Sequence, residues 1–486
     1  MLFRIIGLVA ALCLAAPLAA QNLPKQPDTR TTPAPNEDKN LTQPVTPVTP
    51  DYPLATWIPA NRRNFQRADR PNDFNIDMVV IHDIEGSAEG CLSWFQDVRA
   101  RATSHYVVSA SGQVYQMVQE KDVAWHAGNL DINKRSVGIE NSGYAYRPGF
   151  YNPAEYEGLA KLVRDITVRH RVPRDRQHII GHYEVPNPDR PGSFGGGSGH
   201  TDPGPYWDWD AFMTLVKEDS RLVSSNYPAA IRPGELVPVT ATFTNTGDDA
   251  WVANNKGTED PNVAAVGGTY LGTWAPFMHV SPFFNYKFTT SPTMLSSVTS
   301  GDTAPGSQGK FSFSILGPRT LGPVAEEYRV THYPAAPKTP TAFGEVLKVS
   351  VIVKPWSMEF PAADAAFTGK GWNVKGMVRW RTAAAGDPFE WKPLLPISGK
   401  WDVYARWPQA AGRVSSAVFT IGGQKEPGAA TVDQRKGRGA WVKLGRYTID
   451  DAKALSVSLT TDSTKGTIVA DCLKFEGPFP DEGPGR

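Results

Sequence analysis

The pattern of apolar residues changes once along the chain, near Lys217, and this change most limits what the chain can fold into. Between about Trp57 and Val216, short β-rich runs alternate with two stretches of helical spacing. Such alternation is typical of a mixed sheet with packed helices. Beyond Lys217, alternating apolar runs are separated by Gly, Pro, Asn and Asp, as in antiparallel sandwiches. We therefore predict a multidomain protein, in which an α/β domain precedes two all-β sandwich domains.

The α/β region contains five predicted strands and two predicted helices. Ser87 caps one helix, which buries Leu92, Phe95 and Val98, and the other begins at Asn152 or Pro153. The predicted strands are Asp77–His82, His105–Ser109, Gln113–Val118, Val137–Glu140 and His178–Ile180.

The N-terminal end of the chain predicts export. Residues 1–20 combine Arg4, an apolar stretch from Ile5 to Leu14 and small residues before Gln21, as a secretory signal peptide does. The apolar run is shorter than the ~20 residues that a membrane helix needs, so we expect no membrane span after signal cleavage. Residues 21–53 contain eight prolines among polar residues, which predicts a disordered tether.

The overall charge argues against nucleic acid as a partner. The 486 residues include 50 Lys and Arg against 49 Asp and Glu, a formal net charge of +1. Nucleic-acid binders usually carry a basic excess instead. No heptad pattern is visible, and we expect a monomer.

Histidine is concentrated in the α/β region. His82 and His182 each follow an apolar strand, where open α/β sheets commonly display active-site groups. A Gly-rich loop leads to a third candidate segment, which contains His200 and Asp202. Two histidines and one carboxylate meet the ligand count of a catalytic zinc site. Seven of the nine histidines fall in this region: His82, His105, His126, His170, His178, His182 and His200.

Four separated motifs carry a family resemblance. They are the run VVIHDIEGSAEGCLSWFQDVRARATSHYVVSASGQVYQMVQEKDVAWHAGN, then SVGIEN, IIGHYEVP and HTDPGPYWDWD. Residues 74–213, which contain them in this order, resemble the zinc-dependent N-acetylmuramoyl-L-alanine amidases of the amidase-2 type. That family shares its fold with the peptidoglycan recognition proteins.

The resemblance implies a role for each motif residue. His82, His182 and Asp202 correspond to the ligands of one catalytic Zn²⁺, and Glu140 corresponds to the general base. His200 stands where many members place a lysine that stabilises the oxyanion. The 19 residues between His182 and Asp202 form a longer segment than many members have, and His200 is an alternative zinc ligand to Asp202.

The resemblance also implies a substrate groove. Trp125 and His126 belong to the AWHAG motif, which lies near the cleft in this family, and Asn141 and Tyr106 are expected to line the groove with them. The alternative is that Trp125 and His126 pack beneath the zinc site.

The predicted domain bounds follow from these patterns. Residues 54–218 form the amidase-2-like catalytic domain, and residues 219–355 resemble an immunoglobulin-like sandwich. Residues 356–480 resemble the golvesin-type module, with the phrases WDVYARWP, AWVKLGRYTI and TIVADCLKFEG. Its tryptophans form either a core or a platform for glycan.

The function that the resemblance implies is that of an exported peptidoglycan hydrolase. Such an enzyme cuts the amide bond between the lactyl group of N-acetylmuramic acid and the L-alanine of the stem peptide. The expected location is secreted, periplasmic or cell-wall associated, and the expected partner is peptidoglycan. The alternative is a protein of the same fold that binds peptidoglycan without cleaving it.

Overall fold

A computed structural model describes residues 48–253, 267–285, 291–334, 338–365, 370–383, 387–423 and 428–480. The predicted signal peptide, and the predicted tether up to residue 47, lie outside these residues. The chain divides into two compact units. The first consists of Met1–Glu155 and His170–Trp207, and the second of Tyr156–Arg169 and Asp208–Arg486.

Residues 48–217, as far as the structure describes this part of the chain, contain eight strands and four α-helices, together with short 3-10 turns at Arg62–Asn64, Val98–Ala100 and His182–Glu184. In chain order the strands and helices are β1 (Thr56–Trp57), β2 (Phe65–Gln66), β3 (Met78–Asp83), α1 (Ala88–Gln96), β4 (Tyr106–Val108), β5 (Val114–Gln116), β6 (Val123–Ala124), α2 (Leu130–Arg135), β7 (Ser136–Asn141), α3 (Pro153–His170), β8 (Ile179–Gly181) and α4 (Trp209–Lys217).

A six-stranded mixed sheet organises the first unit. Its strand order is β1-β5-β4-β7-β3-β8. The pairs β4–β7, β7–β3 and β3–β8 are parallel. β3 therefore lies between β7 and β8, and its register places His82 beside Glu140. The C-terminal ends of these parallel strands share one edge of the sheet, which is where ligands bind in open α/β sheets.

Helix α1 begins as predicted and ends slightly earlier than its spacing suggests. The Ser87 side chain accepts a hydrogen bond from the Gly90 N–H at 3.3 Å, and Leu92 and Phe95 are buried with Val107 of β4. The expectation for Val98 was wrong, because the helix ends at Gln96 and this side chain is 42% exposed.

The second unit contains the remaining nineteen strands of the described residues. They are β9 (Ser220–Ser225), β10 (Ala230–Ile231), β11 (Leu236–Asn245), β12 (Gly268–Thr273), β13 (Met294–Ser297), β14 (Gln308–Leu316), β15 (Gly322–Tyr333), β16 (Thr341–Val353), β17 (Trp356–Pro361), β18 (Asn373–Lys375), β19 (Val378–Thr382), β20 (Phe389–Trp391), β21 (Gly399–Arg406), β22 (Ala417–Ile421), β23 (Gly428–Val432), β24 (Val442–Ile449), β25 (Val457–Thr461), β26 (Thr467–Ala470) and β27 (Cys472–Phe479).

These strands surround two hydrophobic cores. The sheets β10-β16-β15-β12-β13 and β14-β11-β9 both contribute to the first core, which includes Phe243, Phe311 and Phe343. The sheets β17-β27-β21-β24, β18-β19-β26 and β20-β25-β22-β23 contribute to the second. The predicted α/β domain followed by all-β domains is thus confirmed, whereas the immunoglobulin-like likeness and the exact domain bounds stay predictions.

The tryptophans of the last domain belong mainly to its core. Trp391, Trp401 and Trp407 are at most 2% exposed, and Trp356, Trp372 and Trp380 pack partly buried against the same cluster. In the part of the chain that the structure describes, no helix is both long enough and apolar enough to cross a membrane.

Candidate metal centre and active site

Three predicted ligands meet at the C-terminal edge of the parallel strands. His82 is the fifth residue of β3, and His182 opens the 3-10 turn directly after β8, the strand that pairs with β3. Asp202 reaches the same place from the loop that follows the Gly-rich segment. The Asp83 N–H donates to its Oδ2 at 3.3 Å, and the Tyr183 N–H donates to its backbone carbonyl at 3.1 Å.

The turn that carries His182 is fixed by its neighbours. The Glu184 carboxylate accepts a hydrogen bond from the Gly181 N–H at 2.8 Å and pairs with Arg176. A side chain at Gly181 would lie 2.6 Å from the Tyr183 ring and 3.0 Å from Pro203, so glycine lets the Asp202 loop approach the strand. These contacts explain the sequence IIGHYE locally.

The polar atoms of the three residues converge on one point. The Nδ1 atoms of His82 and His182 are 3.0 Å apart, and each lies 3.3 Å from an oxygen of Asp202. All three side chains are buried, and their candidate ligand atoms lie within 4.8 Å of one another. Two imidazole nitrogens and one carboxylate oxygen form a donor set that suits Zn²⁺ and leaves a fourth position open.

The electrostatics of these side chains also suit a cation. Burial, and then the neighbouring His182, lowers the pKa of His82 to about 4, so its imidazole is neutral and able to ligate a metal. Burial alone would raise the pKa of Asp202, but the adjacent imidazoles of His182 and His82 lower it well below its usual range. At pH 7 the site therefore contains an uncharged imidazole, that of His82, and an ionised carboxylate, that of Asp202.

Glu140 lies beside His82, His182 and Asp202, which together are called the metal-type group below. Its position in β7 is directly opposite His82 in the parallel ladder, and its side chain keeps partial exposure. Burial of the carboxyl raises the pKa of Glu140 well above its usual value, and the negative charges of Asp202 and Asp83 add to this effect. A carboxylate with a raised pKa is suited to accept and return a proton.

His200 lies at the solvent side of the group. Its ring stacks on His182 with centroids 4.4 Å apart, and its Nδ1 is 3.6 Å from Asp202 Oδ1. The side chain is 52% exposed, in contrast to the buried ligand candidates. Among the described residues, the group of converging metal-type donors comprises His82, His182 and Asp202 without His200.

The other predicted groove residues occupy different surroundings. His126 is buried, and its Nδ1 lies 2.9 Å from His82 Nε2. Trp125 is half-buried, while Tyr106 is fully buried and donates its hydroxyl to Glu120 at 2.6 Å. Asn141 is fully buried at the end of β7. The assignment of these four residues to substrate contacts stays a prediction.

A cleft extends from the same edge of the sheet. Three loops that follow β3, β4 and β7 form its walls. Tyr144 and Phe150 form an edge-to-face pair, with ring centroids 4.7 Å apart, on one side of it. Its other lining residues include Ser87, Ser109, Ser111 and Ser142. The cleft thus combines aromatic rings with hydroxyl groups next to the metal-type site.

Sequence reasoning missed three residues that support the site. The Tyr151 hydroxyl lies within hydrogen-bond distance of both Asp83 and the Pro203 carbonyl, which connects the end of β3, the strand that carries His82, to the loop that carries Asp202. Ser136 and Gly138 contact His126 from β7. Both lie inside the SVGIEN motif, so the motif itself was the available signal.

Comparison with known proteins finds two family matches in this chain. A family model described as N-acetylmuramoyl-L-alanine amidase matches residues 72–205, and a model of the golvesin C-terminal domain matches residues 370–477. A solved AmpD structure shares 26% identity and covers 34% of this chain and 94% of that chain, with a TM-score of 0.28.

Two curated relatives are similar to about a third of this chain. N-acetylmuramoyl-L-alanine amidase A of Achromobacter lyticus is 32% identical over 184 residues, which are 34% of this chain and 95% of that protein. The 1,6-anhydro-N-acetylmuramyl-L-alanine amidase AmpD of Haemophilus influenzae is 28% identical, over 30% of this chain and 86% of that protein. On the match to nearly the whole length of the first relative, this chain belongs to the N-acetylmuramoyl-L-alanine amidase family.

Proposed function

We propose that the protein is an exported, zinc-dependent peptidoglycan hydrolase. It cleaves the amide bond between the lactyl group of N-acetylmuramic acid and the L-alanine of the stem peptide. The observation that carries this proposal is the convergence of His82, His182 and Asp202 beside Glu140, within a domain that belongs to an amidase family.

The converging donors would hold one zinc ion. His82 and His182 offer their Nδ1 atoms, and Asp202 offers a carboxylate oxygen. When bound, zinc supplies Lewis-acid chemistry that acidifies water and polarises the scissile carbonyl.

The residues around the donors perform the proton transfers. Glu140 takes a proton from the attacking water and returns it to the leaving amine of L-alanine. Its raised pKa makes the carboxylate a stronger base for the first of these transfers. His200, exposed and stacked on His182, donates a ring N–H to the developing oxyanion. Because histidine loses its charge near neutral pH, this assistance depends on pH more than that of a lysine.

The remaining parts of the chain direct this chemistry to the cell wall. Residues 1–20 export the protein, and it acts as a monomer on peptidoglycan in the periplasm, in the wall or outside the cell. The match to the golvesin C-terminal domain supports a wall-directed module at residues 356–480, with affinity for glycan.

The test is hydrolysis of purified peptidoglycan by the mature protein, with free N-terminal L-alanine as the product measured. We expect release in zinc-containing buffer and its loss with a chelator. Glu140→Gln should lower the rate by ~10²–10⁴-fold while zinc content stays the same. Asp175→Asn is the control, because this exposed carboxylate bonds only locally to His178 and nearby backbone.

The alternative function is binding of peptidoglycan without cleavage, and the same assay distinguishes the two. If the zinc-loaded protein sediments with peptidoglycan but releases no N-terminal alanine, the hydrolase proposal is wrong and the binding function replaces it.

A further inference from the structure

The surroundings of His126 assign this residue a task different from substrate contact. Its ring lies under the metal-type group, and both of its nitrogens have partners inside the protein. Nδ1 is 2.9 Å from His82 Nε2, and Nε2 is 3.1 Å from Ser136 Oγ. Its backbone is held as well, because the N–H groups of His126 and Ala127 both donate to Asn133 Oδ1.

The donors and acceptors of these hydrogen bonds can be deduced by starting at Ser136, the partner of His126 that lies farthest from the metal site. Ser136 Oγ lies 2.6 Å from the carbonyl oxygen of Ile132, which can only accept. The single hydroxyl proton of Ser136 is therefore used there. Its oxygen must accept from His126, so His126 carries its proton on Nε2.

The same reasoning continues to His82. The His126 ring is buried, and its two nitrogens lie against an imidazole and a hydroxyl rather than a carboxylate, so burial without a paired charge favours the neutral ring. With its proton on Nε2, its Nδ1 is an acceptor. His82 Nε2 must then donate, and the lone pair of His82 Nδ1 points toward His182 and Asp202.

The backbone of β7 provides the space for the His126 ring. A Cβ atom added at Gly138 would lie 2.3 Å from Cγ of His126 and 2.5 Å from its Nδ1. Any side chain at this position would displace the ring from His82. The glycine of SVGIEN, two residues before Glu140, is thus explained by His126.

We propose that His126, held by Ser136 and by the space at Gly138, is a positioning residue that fixes the tautomer and orientation of His82 for metal binding. This inference rests on the zinc site proposed above. Hydrogen-bond partners of metal-bound histidines commonly raise metal affinity in this way.

The first experiment measures Zn²⁺ affinity of the full mature chain by chelator competition, without substrate. His126→Leu fills similar space but accepts no hydrogen bond, and we expect it to weaken zinc binding ~10–100-fold. His126→Asn keeps an acceptor near the position of Nδ1 and should retain most of the affinity. If Leu and Asn variants bind zinc as tightly as the unmodified protein, His126 serves only packing and the proposal is wrong.

Ser136 offers a second variant with a close control. Ser136→Ala removes the acceptor for His126 Nε2 and should weaken zinc binding ~10-fold, the lower end of such effects. Ser104→Ala is the control, because Ser104 is equally buried and its hydroxyl likewise donates to a backbone carbonyl, that of Tyr106, at the same 2.6 Å, instead of serving the His126 ring. Equal affinities for both variants would contradict the inference.

The second experiment needs neither zinc nor activity, and it remains decisive if His126→Leu fails to fold. Long-range ¹H–¹⁵N spectra of the metal-free protein at neutral pH should show His82 and His126 both protonated on Nε2. A proton on Nδ1 of His82 would overturn the proposal. Loss of zinc binding by every form of the protein, with this tautomer intact, would instead refute the proposed zinc hydrolase.

Discussion

Glu155 provides a stability prediction whose size follows from its surroundings. It lies in the first turn of α3 with no solvent-exposed surface. Burial, together with the negative charge of Asp83, raises the pKa of Glu155 from 4.5 to about 8. Between these two pH values the unfolded chain is ionised at this residue and the folded protein is not, so folding takes up a proton. The folded state therefore loses stability as the pH rises from 4.5 to 8.

The change Glu155→Gln removes this dependence, because an amide does not titrate. One pKa unit corresponds to about 1.4 kcal/mol, so the variant should gain about 3 kcal/mol relative to the unmodified protein between pH 5 and pH 8. For a domain of this size, the melting temperature of Glu155→Gln relative to that of the unmodified protein should therefore be roughly 6–12 °C higher at pH 8 than at pH 5.

The assay is scanning calorimetry of both proteins at pH 5, 6, 7 and 8, at one zinc concentration. The unfolding transition of the amidase domain is recognised because its melting temperature rises when zinc is added. Glu89→Gln is the matched control, because Glu89 lies in the first turn of α1 but is exposed. It shares the interaction with the helix dipole and lacks the burial. A melting-temperature difference for Glu155→Gln that does not change from pH 5 to pH 8 would refute the reasoning.

Three further outcomes are expected. Asp202→Ala should lose bound zinc whereas His200→Ala keeps it, measured by metal analysis; the opposite result would make His200 the third ligand. Gly138→Ala should cost about 1–3 kcal/mol of stability in calorimetry and weaken zinc binding, because the new methyl group overlaps the buried His126 ring. Trp401→Ala should lower the stability of the last domain by about 3–5 kcal/mol in denaturant unfolding, because this fully buried ring lies in its core. Wild-type stability of the Trp401→Ala variant would contradict that last expectation.

Local patterns were sufficient to predict most of the α/β domain. The Ser87 cap and the helical spacing of α3 match the structure. Helix α2 was missed because its six residues, LDINKR, span less than two turns and contain too few apolar residues to show a period.

The metal-type group could be predicted because its residues follow strands in recognisable motifs. The surroundings of His126 could not, because they depend on contacts between segments that the local pattern does not connect. Whether a histidine in AWHAG faces a groove or a metal ligand is decided by the missing side chain at Gly138 and by the hydroxyl of Ser136. Spacing along the chain carries no signal for such packing.

In the proposed mechanism, the side-by-side register of His82 and Glu140 separates the bond-breaking chemistry from the choice of substrate. Backbone hydrogen bonds between β3 and β7 set the distance between the two side chains. Residues 143–150, which carry Tyr144 and Phe150, contribute to the neighbouring cleft instead. Exchanging that segment between family members should therefore change which wall fragments are accepted and leave the bond-breaking apparatus intact. In that mechanism the sheet edge is a fixed reaction centre flanked by interchangeable loops, which would make the domain a practical scaffold for designing lytic enzymes with new targets.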